Sequence, residues 1–456
     1  MAQILVPFEG EDSGVGELSW GQQDIWRAMR HQRSSLGNGG VFPLPRGTTV
    51  DDVAAGLQFL MCRHQSLRTR LRFGADGRPL QVLAKSGEVP LEVADAGDGD
   101  PASLAGEVYR GYHERLFDYG DELPIRWAVI TRHGRVTHLV SEVCHLAADG
   151  LGLLAMADDL KARDPGSGMP KRPPAGMPPL EQAGWQRSPA GQRQSEAALR
   201  YWARLLRAIP ARRFAASGDK RRPRYWQVCY DSPATHLALR TISARTAADS
   251  GAILLAAFAV ALCRVTGSNP AVTQVVVSNR FRPGLAGTVS PVSQNGLCVL
   301  DMADITFAES VARAWRSAMG AYKHAYYDPL RQREMIEMIA SERGEEIDIG
   351  CFVNDRRFQR PLEPAGEGPL PGEKEVRDAL SRSAVTWGFR QDRPTERLIL
   401  HINDVPGTAS LELCADTHYV PPADMEAYLL GLEAVAVEAA LDPAAPTGIW
   451  RALVPA

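Results

Sequence analysis

Between residues 164 and 182 the chain reads DPGSGMPKRPPAGMPPLEQ, and no regular element can run through it. Proline fixes φ and removes a backbone donor, so a run this dense in Pro and Gly is neither a helix interior nor a central strand. A chain of 456 residues has length for two or three ordinary domains. The break therefore divides it into two expected lobes, 1–170 and 171–456. A second such stretch, RPLEPAGEGPLPGEKE at 360–375, reads as a long loop or excursion inside the second lobe. No repeat at solenoid periods is present.

On both sides of the break, helical and strand-like patterns alternate. Spacing predicts helices over 19–31, 49–64, 101–116, 150–162, 189–208, 244–266, 305–325 and 422–440. Strands are expected over 68–73, 124–132, 135–144, 225–230, 272–278, 297–301, 348–353, 397–402 and 409–415, where runs such as AVTQVVVS carry a β-branched bias. Each lobe is thus expected to be α/β, a sheet layered with helices.

Hydrophobic residues make up 45% and charged ones 23%, the balance of a chain that buries substantial cores. A net charge of -3 gives no electrostatic reason to expect nucleic acid or a membrane surface as partner. The start, MAQILVPFEGEDSG, turns acidic and Gly-rich too early for a signal peptide. The longest apolar run, GAILLAAFAVALC at 251–263, is too short to span a membrane and reads as a buried helix. A cytoplasmic protein is the expectation. The seven cysteines are scattered, odd in number and without CxxC spacing, which argues against a disulfide framework and a structural zinc site. Most are expected to be small buried apolar residues.

The junction EVCHLAADGLG at 142–152 places an ionisable pair between a strand, RVTHLVSEV, and a helix, LGLLAMADDL. Two readings stand side by side. In one, Asp149 is an N-cap, Gly150 eases the turn and His145 is a core-edge histidine. In the other, the turn holds a catalytic imidazole at a strand end, with a pKa suited to proton transfer near neutrality, and Asp149 fixes the turn through an ion pair. No metal is expected, since no other histidine except His138 has useful spacing to His145. No GxSxG is present. Adjacent residues at a strand end point to opposite faces, so a cleft-facing His145 puts Cys144 inside, a poor position for a nucleophilic thiol.

The turn CHLAADG resembles the HHxxxDG motif of the condensation-domain superfamily, which includes the condensation domains of nonribosomal peptide synthesis and CoA-dependent acyltransferases. Further motifs follow in family order. LSWGQQDIW (18–26) is similar to SxAQxRxW through Ser19, Gln22 and Trp26. RHQSLRTRL (63–71) resembles RHExLRTxF through Arg63, His64, Leu67, Arg68 and Thr69. VVVSNRFRPGLAGTVSPVSQNGLCVL (275–300) resembles the segment carrying a GR pair and then an asparagine, with Arg280 and Asn295 at those places and Asn279 where the family has glycine. HAYYDPL (324–330) is a loose echo of HQDYPFE.

The resemblance implies two chloramphenicol acetyltransferase-like lobes in a V-shaped pseudo-dimer, with a tunnel between them and a crossover or latch near 354–385. It implies an acyltransferase of condensation type that moves an acyl or aminoacyl group from a carrier-protein thioester to an amine or hydroxyl, in nonribosomal peptide synthesis or related secondary metabolism. His145 would be the catalytic histidine. Asp149, Gly150, Arg280 and Cys144 would support the active site, with Arg280 pairing Asp149, and Asn295 would touch substrate. No bound cofactor is implied, because substrates ride on phosphopantetheine or CoA. The expected partners are a carrier protein docking in trans on a free-standing, monomeric chain and a small-molecule acceptor. KRRPR (220–224) is a docking candidate or simply a solvated face. Two departures stand out. Cys144 replaces the first motif histidine, and Gly296 and Cys298 make the asparagine segment irregular. They leave room for a non-catalytic module that binds a carrier protein or recruits another enzyme, and an acyl-CoA donor is a further alternative.

Overall fold

The computed structural model describes residues 1–164, 171, 173, 175–357 and 369–451. Residues 165–170, where the lobe boundary was expected, and 360–368 of the second Pro/Gly stretch lie outside the described residues. In chain order the first elements are β1 (Ala2–Glu9), β2 (Gly14–Glu17), α1 (Trp20–Gln32), β3 (Asn38–Pro43), α2 (Val50–Arg63), β4 (Thr69–Phe73) and β5 (Pro79–Leu83). They are followed by β6 (Ser86–Asp95), α3 (Pro101–Glu114), β7 (Ile125–Arg132), β8 (Arg135–Val143), α4 (Gly150–Lys161), α5 (Pro179–Arg187) and α6 (Pro189–Ala208). Next are β9 (Tyr225–Ser232), α7 (Pro233–Thr246), α8 (Ser250–Thr266), β10 (Ala271–Val277), β11 (Gln294–Leu300), α9 (Phe307–Lys323) and α10 (Pro329–Arg343). The last are β12 (Cys351–Asp355), α11 (Glu373–Ala379), β13 (Ala384–Gln391), β14 (Leu398–Asn403), β15 (Ala409–Asp416) and α12 (Pro422–Leu441).

Two compact units result, Met1–Gln194 with Ser278–Gln294, and Ser195–Val277 with Asn295–Ala456. The division falls inside α6 rather than near 170. The reason is local: α5, just past the Pro/Gly stretch, returns to the first unit, where the Leu180 methyls fill the space beside Gly14 and Gly16 on β2. Residues 278–294 leave the second unit after β10 and re-enter it as β11.

The first unit holds a five-stranded mixed sheet ordered β1-β6-β7-β8-β3 and a small sheet β2-β5-β4. Helices cover both faces of the larger sheet. Ile125, Trp127 and Val129 of β7 pack in the cluster with Leu57 and Leu60 of α2, while Ala128 and Ile130 join Ala105 and Tyr112 of α3. Burial on both sides explains why IRWAVIT is a nearly unbroken apolar run.

The second unit is built on a seven-stranded mixed sheet ordered β11-β10-β12-β14-β15-β9-β13. One face, including Val228, Leu400, Ile402, Leu411 and Leu413, forms a core with α8 and α12. In α8 every residue from Ala252 to Cys263 is buried. No single helix among the described residues is long and apolar enough to cross a membrane. The single helix expected over 244–266 is two helices, α7 and α8, bent by 112°. Ala247 closes α7 in the left-handed region at φ 55°, and the Asp249 side chain caps α8 on the Ala252 amide. Of the excursion expected over 354–385, the described part packs within the second unit, with α11 on α7 and β13 forming the sheet edge beside β9.

Candidate active site

β8 ends at Val143, and α4 begins at Gly150, so the intervening turn is anchored at both ends. Its start is held by backbone: the Cys144 amide donates to the Pro124 carbonyl at 2.9 Å and the His145 amide to that of Ser35 at 3.3 Å. Its end is held by Asp149, which caps α4 by accepting from the Gly152 amide at 2.9 Å. The same carboxylate accepts both Nη groups of Arg280, at 2.9 and 2.6 Å, the Ser293 hydroxyl at 2.9 Å and the Val292 amide at 3.3 Å. Burial pushes the Asp149 carboxyl up, but the Arg280 bonds and charge, with the Gly152 amide, outweigh it and hold the pKa below its ordinary value.

Arg280 is itself buried and also donates to the Thr288 carbonyl at 3.0 Å, so one guanidinium ties residues 278–294 to the turn. Asn279 precedes it at φ 57° with its amide on the Val292 carbonyl at 3.0 Å. Asn tolerates the left-handed region, which accounts for its standing where the resembling motif has glycine. Gly152 packs closely beside the pair, since a Cβ there would lie 3.3 Å from Asp149 Oδ1 and 3.5 Å from Arg280 Nη2.

His145 is half-buried. Its Nδ1 is out of solvent without a partner of good hydrogen-bond geometry, although backbone of His145 and Ala148 lies close enough to favour the protonated ring. Burial is the larger influence and lowers the imidazole pKa, with the Asp149 charge acting in the opposite direction. Cys144 is fully buried among Leu18, Met29, Leu71, Phe117 and Leu146. Burial pushes its thiol up to about 12, so it carries no thiolate at neutral pH. A void of about 20 Å³ lies beside it. All seven cysteines are free, five of them buried.

The other motifs converge on this frame. Ser19 caps α1 in a reciprocal capping box with Gln22, whose amide reaches the Leu146 carbonyl in the turn at 3.4 Å. Gly21 lets α1 approach residues 288–292, since a Cβ there would sit 2.1 Å from the Pro291 carbonyl oxygen. Trp26 meets Tyr119 edge-on, and the Tyr119 hydroxyl bonds that of Ser35, whose carbonyl receives the His145 amide. Arg63 forms a bidentate pair with Asp159 of α4, at 2.6 and 2.9 Å, and His64 lies 3.3 Å from the same carboxylate. The buried Arg68 donates to the Asp12 and Ala84 carbonyls.

Asp149, Gly150 and Arg280 are thus brought together at the His145 turn, with Cys144 behind it. Asn295 belongs to the second unit, on β11, where its carbonyl accepts from the Tyr327 hydroxyl at 3.0 Å. The irregular residues that follow have structural reasons. Gly296 allows β11 to approach α9, where a Cβ would meet the Ala321 carbonyl oxygen at 2.7 Å, and Cys298 is buried in the core. Ser35, Gly152, Val292 and Ser293 were not singled out from sequence, and only Gly152, two residues past the DG pair, carried any signal. A cavity of about 900 Å³ in the first unit is lined by Arg63, His64 and Arg68 and not by His145 or Asp149. Among the described residues one His/Glu/Cys group has ligand atoms within 4.8 Å of one another, His401, Glu412 and Cys414 in the second unit, with Arg356 3.7 Å from Glu412.

The family model described as the condensation domain matches residues 18–336. This chain belongs to the condensation-domain family. Enniatin synthase of Fusarium equiseti is 28% identical to it over 70% of this chain, which spans 10% of that synthase. Against two further curated relatives the chain spans 4% and 2% of their length. Among solved structures, the SgcC5 protein of Streptomyces globisporus superposes with a TM-score of 0.69 at 18% identity, covering 94% of this chain and 100% of that one. The X-domain from teicoplanin biosynthesis gives 0.71 at 18% identity, covering 96% and 97%. At these identities the structural likeness is one of fold, and that fold is the condensation-domain fold of two sheet-rich α/β lobes.

Proposed function

We propose that this condensation domain is an acyltransferase that takes an acyl or aminoacyl group from a thioester on a carrier protein and places it on the amine or hydroxyl of an acceptor. The supporting observation is the Asp149 carboxylate, held by five donors at the start of α4, which fixes the turn around a half-buried His145. In this reading the ring keeps a proton on Nδ1 beside the backbone, and Nε2 is the base. The acceptor nitrogen or oxygen attacks the thioester carbonyl, and its proton passes to Nε2 as the tetrahedral intermediate forms. The carbon–sulfur bond then breaks, and the imidazolium returns the proton to the departing thiolate. Asp149 and Arg280 are positioning residues, since placement errors of about 1 Å are costly in such a step. Cys144 is packing.

The test is to incubate the protein with an acyl-loaded carrier protein and acceptor amines, and to follow the loss of the acyl group by intact mass. His145→Ala is expected to lower turnover by about 10²–10⁴-fold. Full turnover in that variant ends the assignment of proton transfer to His145. Offering the acyl-CoA in parallel separates the two donor classes.

A second reading has one observation behind it. The X-domain from teicoplanin biosynthesis, with a TM-score of 0.71, also appears in a complex with OxyB. A non-catalytic recruiting module would leave every acyl carrier intact and would instead bind a partner enzyme stoichiometrically.

A further inference from the structure

Alternation along β14 and β15 sends Leu400, Ile402, Leu411 and Leu413 into the core with α8 and α12, and so sends His401, Glu412 and Cys414 to the opposite face of the sheet. The antiparallel register sets His401 directly beside Glu412, and Cys414 follows two residues on along the same strand. One ring nitrogen of His401, one oxygen of Glu412 and the Cys414 sulfur all lie within 4.8 Å of one another. The carboxylate is divided between two neighbours. The Cys414 thiol donates to Glu412 Oε1 at 3.8 Å, while Oε2 faces Arg356 Nη1 at 3.7 Å. On the other side of His401, the Asn354 amide of β12 lies 3.3 Å from Nδ1 and fixes the ring. Nε2 has no partner among the described residues and is not sealed from solvent, and the Glu412 side chain is 21% exposed, so the cluster is open to an ion.

Imidazole, carboxylate and thiol together are the donor set of a zinc ion with three protein ligands and a fourth, solvent position. Ligand atoms about 2.0–2.3 Å from zinc stand about 3.3–3.6 Å apart at a tetrahedral angle, so a cluster within 4.8 Å closes on the ion with a small inward movement. Burial and the Arg356 charge lower the His401 pKa to about 3, which leaves the ring neutral and able to ligate. Burial pushes the Cys414 thiol up, but a dication reverses that preference, and the thiol gives its proton to solvent as the sulfur–zinc bond forms. Thiolate and carboxylate then neutralise the ion, and Arg356 stays on Oε2 to orient Glu412. We propose that the face of the β14–β15 hairpin binds one zinc ion through His401, Glu412 and Cys414. This replaces the expectation of a metal-free chain: strand register assembles the three residues, and no sequence spacing announces them. The site lies in the second unit and is independent of the reading built on His145.

The whole chain, stripped of metal, is titrated with zinc by calorimetry and with cobalt(II) by the thiolate-to-metal charge-transfer absorption in the near ultraviolet. Zinc is expected to bind saturably, one per chain, and at least about 100-fold more tightly than magnesium, because imidazole and sulfur donors disfavour the harder ion. Cys414→Ser is expected to abolish the cobalt band, and Cys62→Ser, in the first unit, to keep it. Asn354→Ala should weaken zinc binding by about 10–100-fold, the range for loss of a group that orients a ligand, and Glu412→Gln by at least about 100-fold. Zinc should raise the thermal midpoint of the native chain and leave that of Glu412→Gln unmoved, a readout that does not depend on Cys414→Ser folding. A cobalt band that survives in Cys414→Ser overturns the ligand set. So does its loss in a variant of Cys229, the half-buried thiol paired across from Glu412, while Cys414→Ser keeps it. Equal zinc affinity in the native chain and Glu412→Gln overturns the ligand set as well, and absence of saturable zinc binding overturns the site.

Discussion

Asp149 has no unsatisfied oxygen and little reason to accept a proton. Its two oxygens take a helix amide, a loop amide, a hydroxyl and both arms of a buried arginine. Removing the carboxylate would leave Arg280 charged and buried. Asp149→Ala is therefore expected to lower unfolding free energy by about 3–5 kcal/mol, read from urea denaturation. Asp149→Asn keeps the shape and removes the charge that raises the His145 pKa. If neutral His145 is the base, kcat/KM rises with pH along an acid limb whose midpoint lies below about 6.5, because burial lowers the pKa. In Asp149→Asn that midpoint should move further acid. An unmoved limb would detach Asp149 from the imidazole. Cys144 makes the opposite prediction. With its thiol at about 12 it should resist alkylation in the folded state, and Cys144→Ala should keep turnover at a stability loss of about 1 kcal/mol.

The element most sensitive to a single carbon is α1. Gly21 faces the Pro291 carbonyl so closely that a methyl group forces either α1 or residues 288–292 to shift. Gly21→Ala is expected to cost about 1–3 kcal/mol and to reduce turnover, because Gln22 next to it holds the turn at Leu146. Unchanged stability would mean that the approach relaxes freely. The elements differ in how legibly the sequence marks them. α6 lies over the predicted 189–208 because its apolar residues recur at helical spacing. α10 was missed because its buried side presents only Met335 and Ile339 besides Pro329 and Gln332. β3 was missed because NGGVFP reads as a turn. There Gly39 serves a different need, since a Cβ would meet the Ser141 carbonyl oxygen of β8 at 1.9 Å. At the site, His145 and Asp149 show their chemistry in the residue type and their place at a strand-to-helix turn, whereas Arg280 was legible only through the resemblance of its segment to the family motif. Val292 contributes an amide that every non-proline residue has, and Ser293 a hydroxyl among many, so neither could be read without coordinates.

Across the whole molecule, His64, His145 and His401 share one trait: burial pushes each pKa down, in His401 to about 3. The unfolded chain titrates its histidines near 6.5, so below that pH it binds protons that the folded form refuses. Stability is therefore fully present above about pH 6.5 and declines as pH falls toward the folded values, at up to about 1.4 kcal/mol per pH unit for each group. The urea midpoint should fall steadily from pH 7 to pH 4, and His401→Gln should make that fall shallower. A midpoint flat across this range would show these rings to be freely hydrated. The discontinuous first unit has its own consequence in time. Asp149 and Arg280 stand 131 residues apart in the chain. At ribosomal rates of about 5–20 residues per second, roughly 7–26 s separate their synthesis. Throughout that interval the nascent histidine loop carries its carboxylate without the arginine that later clasps it.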